Sequence, residues 1–170
     1  DTLGRDDYES MNEAAANIPA GCDGLMFHPY LNGELTPYND PQLRGSYTGI
    51  SGAHTTAHFT RATLEGVAMS LKDCMCTLKA LNIPMGRVRI IGGGAKDVVW
   101  RQMLADVLNV RIEKLNLLEE GCSLGAAMAA GIGAGVYKDA SAISKFLQVD
   151  DIREPDAERA ARYAALTDRL

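Results

Sequence analysis

The sequence predicts an α/β fold in which strands alternate with helices in layers. Short runs rich in β-branched residues, such as residues 88–91, alternate with longer segments whose apolar residues recur every three or four positions. A Gly-rich turn at residues 92–94 joins one such run to one such segment. Because this strand-to-helix order occurs more than once, helices packed in layers against a sheet are expected.

Length and composition predict one soluble domain spanning residues 1–170. The 170 residues are enough for a single core, and 46% apolar with 23% charged residues is ordinary for a globular chain. The net charge of -5 argues against a nucleic-acid surface, which normally shows a basic excess. No apolar run approaches the roughly 20 residues that a membrane span requires.

The cysteine pattern predicts a cytoplasmic protein with reduced thiols. The chain has four cysteines, scattered along a sequence long enough to form its own core. Disulfide frameworks are typical of small secreted domains instead.

The first part of the chain is predicted to hold one short helix and two short strands. Residues 5–18 are polar and Ala-rich and predict a helix, and residues 25–27 predict a buried strand. Residues 31–44 are rich in Asn, Gly, Pro and Asp and predict an irregular segment, whose length is typical of functional loops. Residues 45–51 predict a strand that leads into a turn.

A long amphipathic helix is predicted over residues 56–81. Its apolar stripe has the spacing of one helix face and consists of Leu64, Val67, Ala68, Leu71, Met75, Leu78 and Leu81. Arg61 and Glu65 lie one turn apart and are placed off that stripe. An exposed ion pair of this kind supports a helix only slightly.

The second half is predicted to alternate strands with helices and to end in two helices. Strands are expected at residues 88–91 and 110–115. Asn109 stands directly after a predicted helix, where a residue in the left-handed conformation commonly ends it. Small residues at Gly121, Gly125 and Ala129 would let one helix face approach a neighbour closely. The predicted helices cover residues 98–108, 122–130, 141–147 and 155–170.

The best candidate binding site is the segment Gly92, Gly93, Gly94 and Ala95. It lies between a strand end and a helix start, where unpaired backbone N–H groups attract phosphate, and glycine allows an anion to approach the backbone. A tight turn with no ligand is the structural alternative. The segment matches neither the GxxxxGK[ST] loop nor GxGxxG, since Asp97 takes the place of the last glycine.

Asp97 has two alternative roles in the first turn of the following helix. It could cap the helix, or it could contact the base or ribose of a nucleotide. The neighbouring Lys96 could meet a phosphate or simply be solvated.

No metal site and no catalytic group is predicted. His54 and His58 are one helical turn apart, but no HExxH pattern or third ligand accompanies them, so a polar helix start is expected. No GxSxG turn or Cys/His pair suggests a nucleophile, and no carboxylate is marked as a base.

Four stretches in order resemble the FGGY family of carbohydrate kinases, and within it the xylulokinases. They are FHPYLNGELTPYNDPQLRG, GSYTGISGAHTTAHFTRATLEG, IIGGGAKDVVWRQMLADVLN and EEGCSLGAAMAAG, and the resemblance covers about residues 27–135. The resemblance implies the actin-like ATPase (ribonuclease H-like) fold, with strands flanked by helices, of which this chain would be part of the C-terminal lobe. It also implies transfer of the ATP γ-phosphoryl group to a sugar hydroxyl with Mg²⁺.

The resemblance also implies roles for the candidate site residues. Gly92, Gly93 and Gly94 would lie against the phosphates of ATP or ADP, with Asp97 near the adenosine. Three residues depart from the family pattern, namely Leu35 in place of Arg, Asp97 in place of Ser or Asn, and Asn109 in place of Gly.

The resemblance places the catalytic base, most of the sugar pocket and most Mg²⁺ ligands outside this chain. In the family they come from preceding sequence, including the N-terminal sugar-binding lobe. The chain starts at Asp1 without an initiator Met and stops at Leu170 within a helical pattern, so a piece of a longer protein is expected. We expect this piece alone to lack kinase activity.

Three functions remain open at this level. The first is the ATP-binding lobe of a kinase that converts D-xylulose to D-xylulose 5-phosphate, with gluconate, ribulose, glycerol and fuculose as alternative substrates. The second is a non-catalytic actin-like nucleotide-binding module, and the third is an α/β domain with a purely structural glycine turn. The expected partners are small molecules, and a homodimer is compatible with the sequence.

Overall fold

The computed structural model describes residues 8–117 and 120–167. Its helices are α1 (Tyr8–Ala16), α2 (Thr56–Ala80), α3 (Val98–Leu108), α4 (Gly121–Gly133) and α5 (Ala157–Thr167). Its strands are β1 (Met26–His28), β2 (Ser46–Thr48), β3 (Arg87–Ile90), β4 (Arg111–Leu115) and β5 (Val149–Arg153). Residues 5–7 and 168–170 of the predicted terminal helices lie outside the described ranges.

The strands form two small sheets, each of which carries helices. β1 and β2 pair antiparallel with Phe27 opposite Tyr47. The second sheet has the order β3-β4-β5, in which β3 runs parallel to β4 and β5 runs antiparallel to it. The parallel pair is joined through α3, as parallel strands require a crossover connection. The predicted alternation of strand and helix is therefore present here.

The main core lies between α2, α3, α5 and the second sheet. Its buried members include Ala68, Met103, Leu104, Val107 and Ile112. A smaller core under the first sheet contains Cys22, Leu25 and Ala62. Helix α3 packs against α2 and α5 and against strand β4, which holds the turn before it in a defined place.

Gly66 allows α2 to lie directly on β1. A Cβ atom at this position would stand 2.1 Å from the backbone oxygen of Phe27, far inside van der Waals contact. Gly125 of α4, also within a helix, has open space at the same position. The contact between α2 and β1 therefore depends on the missing side chain at Gly66.

Arg61 and Glu65 form a buried ion pair, not the exposed one expected from the sequence. Arg61 is 6% exposed and Glu65 4%, and the Arg61 Nε donates to Glu65 Oε1 at 2.7 Å. The Tyr163 hydroxyl donates to the same oxygen at 2.7 Å and accepts from Arg61 Nη2 at 2.8 Å. The expectation was wrong because Arg61 lies three residues before Leu64 and seven before Ala68, which puts it on the apolar face.

Two further segments of backbone complete this cluster. Arg61 Nη1 donates to the Ala15 carbonyl at 3.3 Å, and the Gly21 N–H donates to the Glu65 carboxylate at 3.1 Å. Burial alone would lower the pKa of Arg61, but Tyr163 and Glu65 outweigh it and raise that pKa, so the guanidinium stays charged. We call Arg61, Glu65 and Tyr163 the central polar cluster.

The C-terminal region differs from the sequence prediction in three places. Strand β5 was not predicted, since VDDIR has three charged residues among five and pairs only because β4 lies beside it. The helix expected at residues 141–147 is a 3₁₀ helix, Ala140–Lys145. Helix α4 continues to Gly133, beyond the predicted end at residue 130, and the left-handed Gly135 follows it.

The predicted apolar stripe of α2 is buried only in part. Ala68 and Met75 are buried, whereas Leu71, Leu78 and Leu81 are 46%, 38% and 67% exposed.

Within the described residues, no helix is long and apolar enough to cross a membrane. All four cysteines are unpaired, and burial raises the pKa of the Cys22 thiol to about 11.

Adding a methyl group at Gly66 is expected to destabilise the chain strongly. Gly66→Ala must push α2 away from the Phe27 carbonyl, which should cost about 2 kcal/mol or more of unfolding free energy. Gly125→Ala is the matched helical control and should be neutral or stabilising by up to about 1 kcal/mol. Urea denaturation followed by circular dichroism measures both. Equal stability of the two variants would contradict the close contact.

Removing the Tyr163 hydroxyl is expected to weaken the central polar cluster. Tyr163→Phe leaves Arg61 and Glu65 each short of one buried hydrogen bond, which should lower the unfolding free energy by about 1–3 kcal/mol. Tyr38, whose hydroxyl reaches Asp73 at 3.0 Å, is 53% exposed, so Tyr38→Phe should cost less than about 0.5 kcal/mol. The same urea experiment applies, and a loss no larger than that of Tyr38→Phe would show that the cluster is not important for stability.

Candidate functional site

The glycine turn follows β3 and forms a single turn of 3₁₀ helix, Gly93–Lys96. Gly92 precedes it with φ of 81° and ψ of -173°, a conformation that residues with a side chain rarely adopt. A Cβ atom added at Gly92 or Gly93 would meet no atom within 4 Å, whereas one at Gly94 would lie 3.2 Å from the Trp100 indole nitrogen. The turn therefore presents open backbone at Gly92 and Gly93.

Backbone N–H groups of the turn are available at its exposed side. Across residues 8–117 and 120–167, the N–H groups of Gly93 and Gly94 donate to no protein acceptor. The Ala95 N–H donates to the Gly92 carbonyl at 3.1 Å, and the Ala95 side chain is fully buried. Of the four residues in the predicted segment, the glycines thus face outward and Ala95 packs beneath them.

Asp97 is the N-cap of α3, which confirms the capping alternative. Its Oδ1 accepts the Trp100 N–H at 2.7 Å, and its Oδ2 accepts the Asn12 side-chain amide at 2.8 Å. The first turn of α3 therefore already has a negative partner. The open N–H groups lie one 3₁₀ turn earlier than the helix start that the sequence suggested.

A groove of about 670 Å³ opens beside the turn, between α1 and the start of α3. Its walls combine backbone, polar and apolar surface from Asn12, Leu64, Gly93, Gly94, Asp97 and Trp100. Lys96 also lines it. Open glycine backbone beside an aromatic ring suits a ligand that carries both an anionic group and an apolar ring.

Two residues of this region were missed from the sequence. Asn12 gives no sequence signal, because its contact to Asp97 joins positions 85 residues apart. Arg101 did give a signal, since it lies three residues before Leu104 and four before Ala105 on the apolar face of α3. A charged residue on a buried helix face usually has a specific partner.

His54 and His58 form hydrogen bonds at the start of α2, where the sequence predicted a polar helix start. The Ser51 N–H donates to His54 Nδ1 and the Thr55 N–H donates to His58 Nδ1, each at 3.1 Å. His58 Nε2 lies 3.4 Å from Asp23. No group of three metal-binding side chains occurs within the described ranges.

Comparison with known proteins gives a consistent set of similarities. The sequence profile of the FGGY family of carbohydrate kinases, C-terminal domain, matches residues 2–134. A xylulose kinase from Staphylococcus epidermidis is 43% identical over 157 residues, which cover 92% of this chain and 32% of that kinase.

Two solved structures from Lactobacillus acidophilus are similar throughout the chain. The gluconate kinase has a TM-score of 0.87 at 31% identity and covers 99% of this chain and 35% of its own. The ligand-bound xylulose kinase has a TM-score of 0.86 at 31% identity and covers 95% of this chain and 33% of its own. These similarities confirm the predicted α/β fold of the actin-like ATPase (ribonuclease H-like) type. The chain spans about a third of the length of these relatives.

The capping role of Asp97 can be tested by two substitutions. Asp97→Ala removes the acceptor for the Trp100 N–H and should lower the unfolding free energy by about 1 kcal/mol. Asp97→Asn keeps a side-chain oxygen at the N-cap and should cost less. Urea denaturation of the two variants gives the comparison, and equal losses would contradict capping as the main structural role.

Proposed function

Because the chain belongs to the FGGY family of carbohydrate kinases and matches its C-terminal domain, we propose that it is the nucleotide-binding lobe of an ATP-dependent sugar kinase. In this proposal residues 1–170 form one domain of a longer enzyme. The catalytic base and most of the sugar pocket lie in the part of the relatives that this chain does not cover. Transfer of the γ-phosphoryl group would then take place between this lobe and the other one.

The observation that supports the proposal is the open glycine turn. Gly92 adopts a backbone conformation suited to glycine, and the N–H groups of Gly93 and Gly94 have no acceptor within the described ranges. Phosphate oxygens are strong acceptors, and backbone without Cβ atoms lets them approach closely. The β- and γ-phosphates of ATP, or the phosphates of ADP, would therefore lie against Gly92, Gly93 and Gly94.

Charge determines where in the groove the phosphates would lie. The Asp97 carboxylate would repel a phosphate group, so the phosphates would lie at the open N–H groups of Gly93 and Gly94 and not against that carboxylate. Each Asp97 oxygen already accepts one hydrogen bond and can accept another, for example from a ribose hydroxyl. Trp100, which also lines the groove, offers an apolar surface for the base.

Mg²⁺ would arrive with the nucleotide phosphates. It prefers oxygen ligands, keeps several waters and often bridges phosphates with one or two carboxylates, and it neutralises charge during phosphoryl transfer. We place its protein ligands mainly outside this chain. Ala95 would support the turn from beneath through its buried methyl group and its hydrogen bond to Gly92.

D-Xylulose is the proposed sugar, with D-xylulose 5-phosphate as the product. The support is the 43% identity to a protein named xylulose kinase. Gluconate is the second candidate, because a gluconate kinase superposes over 99% of the chain. A non-catalytic nucleotide-binding module would have the same glycine turn but would lack a catalytic carboxylate in the other lobe.

Nucleotide binding can be tested at Gly93, where a side chain fits the protein but would occupy the proposed phosphate position. We expect the 170-residue chain to bind ADP with Mg²⁺ in calorimetric titration. Gly93→Val should raise the dissociation constant about tenfold or more, a change equivalent to about 1.4 kcal/mol.

Gly125→Val is the matched control, because it also adds a side chain in open space and Gly125 does not line the groove. It should bind ADP as the unmodified chain does. Unchanged binding by Gly93→Val would show that the turn is structural only. Absence of binding by the folded, unmodified chain would contradict a nucleotide site carried by this lobe alone.

A further inference from the structure

The buried side chain of Arg101 connects the glycine turn to the far strand of the sheet. Arg101 is 6% exposed, and its Nη1 donates to the carbonyls of Ala95 and Lys96, at 2.5 and 3.0 Å. Its Nε donates to Asp151 Oδ2 of β5 at 3.1 Å, and its Nη2 lies 3.0 Å from the same oxygen. One guanidinium thus joins the turn, α3 and β5.

Asp151 is itself held in place from a second side. Arg153 donates to it from Nε at 2.9 Å and from Nη2 at 3.1 Å. Burial would raise the pKa of Asp151, but the hydrogen bonds and charges of Arg153 and Arg101 outweigh it and lower that pKa. The carboxylate therefore remains ionised at neutral pH and gives Arg101 a fixed anchor.

The glycine turn needs such an anchor because its own sequence restrains it poorly. Because glycine has the greatest backbone freedom of any residue, ordering three successive glycines on ligand binding would cost conformational entropy. Two consecutive carbonyls bound by one planar guanidinium fix the orientation of two peptide planes. These planes carry the N–H groups of Lys96 and Asp97, and the Ala95 N–H links the held end of the short 3₁₀ turn to its start by donating to the Gly92 carbonyl. The Gly93 and Gly94 N–H groups lie between these two restrained points, so their freedom is reduced before any ligand binds.

We propose that Arg101 is a positioning residue that holds the glycine turn in the conformation required for nucleotide binding. It acts through the backbone of Ala95 and Lys96 and would not touch the nucleotide. This inference rests on the proposed function for its link to nucleotide affinity. Its effect on the conformation of the turn can be measured independently of any nucleotide.

The experiment compares Arg101→Lys with Arg153→Lys in the 170-residue chain. A lysine at 101 keeps the positive charge but lacks the planar fork that reaches Asp151 and both carbonyls together. Arg153 shares the Asp151 partner and makes no hydrogen bond to the turn. Arg153→Lys keeps a positive charge beside Asp151 and leaves both Arg101 contacts to that carboxylate in place, so it is the matched control. Each variant is examined by calorimetric titration with ADP and Mg²⁺ and by amide hydrogen exchange.

In Arg101→Lys, the dissociation constant for ADP should rise about tenfold, and the Ala95 amide, bonded to Gly92, should exchange about tenfold faster. In Arg153→Lys, both quantities should change less than about twofold. A purely structural role of Arg101 would lower global stability while leaving ADP affinity of the folded chain and Ala95 exchange unchanged.

Each outcome decides a separate point. If the unmodified chain binds ADP and Arg101→Lys binds equally well, the positioning role is overturned and the proposed function stands. If the unmodified chain does not bind ADP, a nucleotide site carried by this lobe alone is contradicted, and Ala95 exchange alone decides whether Arg101 orders the turn. Should Arg101→Lys fold incorrectly, Asp151→Asn is the second variant, because it removes the carboxylate charge that anchors Arg101. Unchanged Ala95 amide exchange and unchanged ADP affinity in Asp151→Asn would also overturn the proposal.

Discussion

The buried contact between Arg61, Glu65 and Tyr163 is the constraint on which the arrangement of the helices depends. It joins residues 102 positions apart in the chain and includes the Ala15 carbonyl and the Gly21 N–H. Two buried charges are stabilised only when all their hydrogen-bond partners are in place. A buried charge that is left unpaired costs about 3–5 kcal/mol of stability. Helices α1, α2 and α5 can therefore pack in one relative position that satisfies all these groups.

The candidate groove is a consequence of that arrangement. One wall is α1, which Arg61 holds through Ala15, and Asn12 of α1 then reaches Asp97 at the start of α3. On the other side, Arg101 and Asp151 hold the turn against the sheet. The buried carboxylate of Asp106 joins α3 to the start of α5 through Arg159. The opening between α1 and the turn is thus set by arginine–carboxylate contacts on both sides.

Much of the fold and the position of the candidate turn could be predicted from local sequence. Periodic apolar residues predicted α2 and α3 within a residue or two, and the three glycines predicted an open turn between β3 and α3. Strand β5 could not be predicted, because its charged residues pair with Lys114, Arg101 and neighbours only after β4 is in place. The exposed leucines of α2 are a different case. Their spacing correctly predicted an apolar helix face, but it did not predict whether another part of the protein covers that face.

The sequence by itself determined the α/β class, most elements, the glycine turn and the resemblance to FGGY carbohydrate kinases, because these depend on patterns within short segments. The tertiary structure alone decided that Arg61 and Glu65 are buried, that both oxygens of Asp97 are engaged, and that Arg101 reaches Asp151. In each of these contacts one partner lies far away in the chain, 102 positions for Arg61 and Tyr163, 85 for Asp97 and Asn12, and 50 for Arg101 and Asp151. Their geometry depends on how the helices pack, and spacing along the sequence does not contain that information.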